Sequence, residues 1–298
     1  MNTVYRIMFL FFLLSLLQEK GTCQQAEDST KLYQLKAMDG NEYLGILQVE
    51  DSSGVSIKTA KLGLLFFPRS EIKSLVKIEP KRLINGKVWF ENPQSSRYLW
   101  APNGYGLHKG EGYYQNIWVL YNQFSYGITD NFSIGAGVLP LFFFSSDVTP
   151  IWIIPKFSIP VVRDKFNVGV GILAARLVGQ NTGLGIVYGT GTLGNRDRNI
   201  SLGMGYGYID GSLAKLPMWN LSFMYRVGMK GYLVSENYLF TGNNYSLALL
   251  SFGGRVFIKV VGLDFGLVLP RSGNIKTFIA IPWFGFTVPF GKKSPTSH

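Results

Sequence analysis

The sequence predicts an all-β protein, a small β domain followed by a transmembrane antiparallel β-barrel of about twelve strands. Three observations predict it. The chain of 298 residues is 47% hydrophobic, with 22 Phe, 16 Tyr and 35 Gly, yet beyond its first segment no window offers ~18 consecutive apolar residues, the length a membrane-crossing helix needs. Large apolar residues alternate with glycine and small polar residues over run after run, as in "FSIGAGV" at 132–138, where Phe132, Ile134, Ala136 and Val138 oppose Ser133, Gly135 and Gly137. The connections between runs alternate along the chain between tight, often charged turns and somewhat longer loops.

From the N-terminus, Arg6 precedes an apolar run from Ile7 to Leu17, then Gly21, Thr22 and Cys23. That layout predicts a secretory signal peptide over 1–23. Cleavage after Cys23 leaves a chain with no cysteine, hence no disulfides; the competing reading keeps Cys23 as a lipidated N-terminal residue. Residues 24–30 read as a linker.

Residues 31–79 read as the small domain, with short runs at 32–37, 43–49, 55–59 and 64–67. Asp39-Gly40-Asn41, Asp51 to Gly54 and Lys61-Leu62-Gly63 supply hairpin turn chemistry between them, and Pro68 stops the fourth run. Size and pattern resemble SH3-like or Sm-like barrels, which implies a closed, bent meander and a periplasmic adaptor role. Residues 80–96 read as a second linker, because they are polar and end in Asn92-Pro93-Gln94-Ser95-Ser96.

The barrel is placed at 97–290, with strands at 97–107, 112–127, 131–144, 150–163, 166–177, 183–193, 199–209, 216–228, 231–240, 244–257, 260–269 and 276–290, and a tail at 291–298. In 199–208, Ile200, Leu202, Met204, Tyr206 and Tyr208 oppose Ser201, Gly203, Gly205 and Gly207; in 219–227, Trp219, Leu221, Phe223, Tyr225 and Val227 oppose Asn220, Ser222, Met224 and Arg226. A water-soluble sandwich would set long charged residues opposite its apolar face. Here the second face is small or polar, so the bulky face is assigned to lipid and the small face to the lumen. Tyr113-Tyr114, Trp118, Phe142 to Phe144, Trp152, Tyr232 and Trp283 are candidates for the two interfacial aromatic girdles.

The final run carries Gly285, Val288 and Phe290, which resemble the C-terminal assembly signal of Gram-negative outer-membrane β-barrel proteins. Trp283 and the tail from Gly291 to His298 depart from that pattern. The Gly/aromatic texture is most similar to barrels of Bacteroidota. The resemblance covers about two-thirds of the chain and implies a cell outer-membrane location, recognition by barrel assembly machinery, outer-membrane lipid as a partner, and a periplasmic N-terminal domain.

Charge narrows the partners. Residues 24–80 carry 7 Lys+Arg against 8 Asp+Glu, and residues 81–298 carry 20 against 9. An exported chain does not meet nucleic acid, so the basic excess points to anionic lipid headgroups or a small anionic solute. Lys156, Arg176, Arg226, Arg255 and Lys276 are the lumen or rim candidates for such an anion, although Tyr121, Gln123 and Met224 would help fill so narrow a barrel.

For catalysis the sequence offers little. His108 and His298 are the two histidines. Outer-membrane phospholipase A, also of twelve strands, pairs His-x-Ser, whereas His108 is followed by Lys109 and Gly110. No Gly-x-Ser-x-Gly elbow and no metal-ligand spacing is present. The sequence therefore predicts a protein that is not an enzyme, with no catalytic residue, metal or cofactor, acting as a pore, transport or structural envelope protein. The alternatives are a lipid-modifying acyl hydrolase or transferase and a periplasmic adaptor anchor with a protein partner.

Overall fold

The computed structural model describes residues 32–78, 83–84, 87–140, 148–180, 182–242, 246–273 and 277–291. The signal peptide, Cys23, the first linker, Phe142 to Phe144, Lys276 and the tail after Gly291 lie outside the described residues. The chain divides into two compact units, Met1–Trp89 and Phe90–His298.

The first unit is an antiparallel sheet of β1 (Leu32–Ala37), β2 (Glu42–Glu50), β3 (Gly54–Thr59), β4 (Gly63–Pro68) and β5 (Ile72–Lys77), in the order β4-β3-β2-β1-β5. Gly40 and Gly63 take φ of 91° and 72° at the turns, conformations that cost glycine nothing. Leu35, Val55, Ile57 and Phe67 form its core. The fifth strand is one the sequence does not announce: after Pro68 a 3-10 turn (Arg69–Glu71) redirects the chain, and β5 returns to pair with β1. A short hairpin of β6 (Leu83–Ile84) and β7 (Lys87–Val88) follows.

The second unit is a closed antiparallel barrel of twelve strands. They are β8 (Glu111–Ile117), β9 (Tyr121–Gly127), β10 (Phe132–Val138), β11 (Thr149–Val162), β12 (Phe166–Val178), β13 (Thr182–Gly194), β14 (Arg198–Ile209), β16 (Met218–Arg226), β17 (Gly231–Thr241), β18 (Ser246–Ile258), β19 (Val261–Ser272) and β20 (Ile281–Gly291), with the two-residue β15 (Ser212–Leu213) in a loop. β20 pairs with β8 through Gly285↔Ile117 to Gly291↔Glu111 and shuts the ring. No sheet edge is left in the barrel, which is what a bilayer demands of a β structure. At the end where β8 begins and β20 stops, consecutive strands are separated by short stretches, 128–131, 163–165, 195–197, 227–230 and 259–260; at the opposite end three separations are as short, 118–120, 179–181 and 242–245, and three are longer, 139–148, 210–217 and 273–280.

Most strands keep the same two faces; β17 differs in turning Tyr232, Val234 and Tyr238 to the lumen. Outside, Phe157, Ile159, Leu193, Leu202, Leu221, Phe252, Phe265 and Phe284 are exposed. Inside, Ser158, Asn167, Thr190, Thr192, Ser201, Ser222, Ser251 and Thr287 are buried. The pattern is inverted relative to a soluble protein and matches an exterior solvated by acyl chains. Inward glycines also make room for inward aromatics: a Cβ on Gly137 would meet the Trp152 ring at 2.4 Å, and one on Gly171 the Tyr188 hydroxyl at 2.5 Å.

Two strands differ from the sequence expectation, and the differences cancel in the count. Residues 97–107 form no barrel strand; Pro102, Gly104 and Gly106 interrupt the run, and it lies inside the barrel. The span 112–127 is a hairpin, turning at Trp118 and Val119 with φ of 52° and 67°. A β-branched residue in that region is an outlier, so no turn signal shows in the sequence. The turn is held because Asn116 Oδ1 accepts the Val119 amide at 3.1 Å and Trp118 N–H donates to Phe284 O at 3.0 Å. The girdle expectation is also corrected for Tyr113, Trp152 and Tyr232, which strand parity turns inward and which are buried; Trp118 is exposed, with its ring 5.1 Å from that of Trp283.

Leu221→Arg, mid-strand on the outer face, is expected to cost about 2–4 kcal/mol of folding stability in bilayers; reversible urea unfolding in phospholipid vesicles would measure it, and Ser222→Ala on the inner face should not reproduce that lipid-dependent loss.

Candidate functional site

The candidate site is the lumen and the segment that occupies it. Residues 92–107 enter from the end with the short turns, where Asn92 Nδ2 donates to Arg196 O at 3.0 Å, and reach a tip at Tyr98 to Ala101. They return to the same end, where Gly110 N–H meets Gly127 O at 2.8 Å. Tyr98 N–H to Ala101 O (2.9 Å) and Asn103 N–H to Ser96 O (3.1 Å) tie the two limbs together as a re-entrant loop.

Charged side chains of the wall pin this loop. Asp264 on β19 sits between two buried guanidinium groups: Arg255 Nε donates to Oδ1 at 2.5 Å, and Arg97 Nη1 donates to Oδ2 at 3.1 Å. Arg255, on the neighbouring strand β18, spends its remaining donors on the loop carbonyls of Gln94 (3.0 Å) and Tyr98 (2.5 Å). Arg97, from the loop, also reaches Gln94 Oε1 at 2.9 Å and Thr287 Oγ1 at 2.5 Å. At the tip, Glu236 Oε2 accepts the amides of Trp100 (2.8 Å) and Ala101 (2.9 Å), while Tyr238 donates to Oε1 at 2.8 Å. Lys156 Nζ donates to Tyr105 O at 2.5 Å, and Arg196 Nη1 to Ser95 Oγ at 2.6 Å.

One apolar patch completes the seat. Tyr98, Leu99 and Ala101 pack on Met224, Val234 and Phe257, all buried. The Tyr98 hydroxyl still reaches Asn199 Oδ1 at 2.7 Å, as a buried phenol should.

Three of the five basic residues singled out in the sequence therefore meet in the lumen. Lys156, Arg226 and Arg255 all face inward and are buried; Lys156 and Arg255 donate to loop carbonyls, whereas Arg226 Nη1 meets Phe90 O at 2.9 Å and Asp197 Oδ2 at 3.0 Å, outside the loop. Arg176 is on the outer face of β12, toward the end with the longer loops, and exposed. Lys276 falls outside the described residues. Gly285 faces the lumen on β20 while Val288 and Phe290 are exposed on the outer face beside the seam. His108 is exposed at the short-turn end, its Nδ1 3.6 Å from Asp130 Oδ1; the Lys109 amide, donating to that carboxylate at 2.9 Å, holds the Asp130 carboxyl below its usual range.

The residues that organise the lumen include several the sequence did not single out: Arg97, Asp264, Glu236 and Arg196. Asp264 did carry a signal, being a carboxylate between Gly262 and Gly266 on the small-residue face of an otherwise apolar strand; Glu236 shares its face with Tyr232, Val234 and Tyr238 and carried none.

Beside the loop and past its tip, a cavity of about 100 Å³ remains between Trp100, Pro102, Lys156, Leu173, Ile186 and Tyr238.

No protein-family model matches the chain, and no curated protein matches it. Among solved structures it is similar to a loop L8 deletion mutant of OmpT, an outer membrane protein of Vibrio cholerae, with 13% identity over 87% of this chain and 96% of that one and a TM-score of 0.35. The outer-membrane expressed OmpT of Vibrio cholerae (12% identity, 88% and 95% covered, TM-score 0.33) and the in-vitro folded trimer form (11%, 88% and 96%, 0.32) are similar to the same degree. The architecture is that of an outer-membrane β-barrel. The expectation that the chain is not an enzyme is withdrawn: it rests on missing sequence motifs, and groups brought together from separate strands, as Lys156 and Tyr188 are at the cavity, leave no motif.

Asp264→Ala leaves two buried guanidinium groups without their carboxylate and is expected to cost about 3–5 kcal/mol; urea unfolding should show the loss, and limited proteolysis should cut within residues 92–107, which resist cleavage in the unaltered protein.

Proposed function

We propose that this protein is a plugged transport barrel of the Gram-negative outer membrane, whose resting lumen is shut by its own residues 92–107. The single observation that carries the reading is the seat of that loop: polar wall groups hold it in the lumen, while a cavity remains beside it and past its tip. An inert filler would be served best by apolar packing, since a buried ion pair adds little net stability over a well-packed hydrophobic equivalent. Hydrogen-bonded contacts, unlike apolar ones, can be exchanged for water or for the groups of a solute when the loop shifts.

In this reading the short turns and the first unit face the periplasm and the longer loops face outward, as in bacterial barrels generally. Both ends of the barrel chain lie at the short-turn end, which agrees with that orientation. The first unit, with β5 folded back onto β1, is read as an SH3/Sm-like periplasmic domain that offers a surface to a protein partner. Gly285, Val288 and Phe290, on the strand that closes the ring, are read as the signal for the assembly machinery, and the glycine-rich, aromatic texture as Bacteroidota-like. The solute passed is a small anion. The basic side chains that hold the loop carbonyls would bind it once the loop shifts.

A second reading, a static anchor, is favoured by the apolar patch under Tyr98 and Leu99. Planar-bilayer recording separates the two. The unaltered barrel is expected to give rare, brief openings, and Glu236→Gln combined with Asp264→Asn should raise the open fraction at least tenfold with a preference for chloride over potassium. Heat-modifiable migration confirms that the variant is folded. A folded variant as silent as the unaltered protein, together with a silent barrel lacking residues 92–105, would establish the anchor instead.

A further inference from the structure

We infer that the cavity above the loop is a binding site for a small molecule with a compact apolar body and one anionic head, such as a carboxylate or sulfonate. This deepens the transport reading by naming its solute class, yet binding requires no passage, so the two fail separately.

The walls supply the first half of the inference. Ile154, Leu173, Ile186 and Met218 are inward-facing residues of β11, β12, β13 and β16 that line the cavity and remain only half-buried. Elsewhere much of the lumen face is serine, threonine, asparagine or glycine, and the apolar Met224, Val234 and Phe257 are covered by the loop. Large aliphatic side chains on the lumen face of a barrel, left uncovered by the loop, lose the hydrophobic stabilisation that burial would give them. A ligand with an apolar body restores it.

The second half comes from the polar groups on the same surface. Lys156 is buried and lines the cavity. Its Nζ donates to Tyr105 O at 2.5 Å and to Ser96 O at 3.5 Å, and among the described residues no carboxylate pairs with it. An ammonium group carries three donors, so one remains for a ligand. Arg97 also lines the cavity and is 1% exposed. Its Nη atoms are engaged, but its Nε–H is buried without a partner. The Tyr188 hydroxyl, a third lining group, is likewise buried and unpartnered. Buried donors are normally satisfied, and here three donor-bearing side chains line one apolar cavity. All three would donate to an anionic head, and Lys156 and Arg97 add positive charge. A cation or a neutral polyol would meet these donors with the wrong charge or with too little apolar surface.

The test uses two probes of nearly equal shape, naphthalene-2-sulfonate and its neutral sulfonamide, titrated calorimetrically into the detergent-folded full-length protein. The sulfonate is expected to bind saturably with one site per barrel, at least roughly tenfold tighter than the sulfonamide, as a charge-assisted contact in a desolvated site should give. Lys156→Gln should remove most of that difference while leaving sulfonamide binding in place. Leu173→Trp, which fills the cavity, should weaken both probes. Heat-modifiable migration checks that each variant folds, and because the sulfonate preference is also read on the unaltered protein, a variant that fails to fold does not suspend the test. Equal affinity for the two probes in the unaltered protein, or binding that Leu173→Trp leaves untouched, overturns the inference. Sulfonate binding in a barrel that never conducts would sink only the transport reading.

Discussion

The whole design follows from one constraint: a strand in this barrel has its outer face in hydrocarbon, so all its polar chemistry must point at the axis. Twelve such inner faces converge on a narrow lumen, and burying them leaves their hydrogen-bonding groups to be satisfied from within. The loop at 92–107 meets most of that demand. Its carbonyls accept from Arg255 and Lys156, and its amides donate to Glu236. The wall and the loop are therefore two halves of one hydrogen-bonded interior, with Asp264 at the centre of its charge.

Much of this was legible in the alternation of large and small residues. Once Leu221 faces lipid, Ser222 must face the lumen, and register carries the assignment from strand to strand. The basic residues Lys156, Arg226 and Arg255 were placed by the same parity. What they touch was not legible, because strand periodicity says which face a side chain takes and nothing of a segment that fills the interior from elsewhere in the chain. Residues 97–107 read as a strand because Tyr98, Trp100 and the aromatics after them mimic the texture of the wall; many of their contacts are with residues distant in the chain, as between Tyr98 and Asn199. The Trp118–Val119 turn was hidden for a different reason. Its left-handed backbone is imposed by tertiary bonds to Asn116 and Phe284 and not by any residue that favours it.

Loop and cavity divide the interior by chemistry as well as by space. Near the short turns the lumen face is hydroxyl, amide and ionic around one apolar patch, and the loop covers it. Beyond the tip it is aliphatic, with donors at its base, and it is uncovered.

Because residues 92–107 come in and go out at the same end, the chain crosses the lumen twice and passes through it not at all. Withdrawal of the loop is then a sliding motion with no knot to undo: neither the ring of strands nor the seam between β8 and β20 has to break, and the domain that precedes it never has to be threaded. The same geometry lets the seam close first during assembly and the loop seat itself afterwards, so the order of these two events is free of topological constraint.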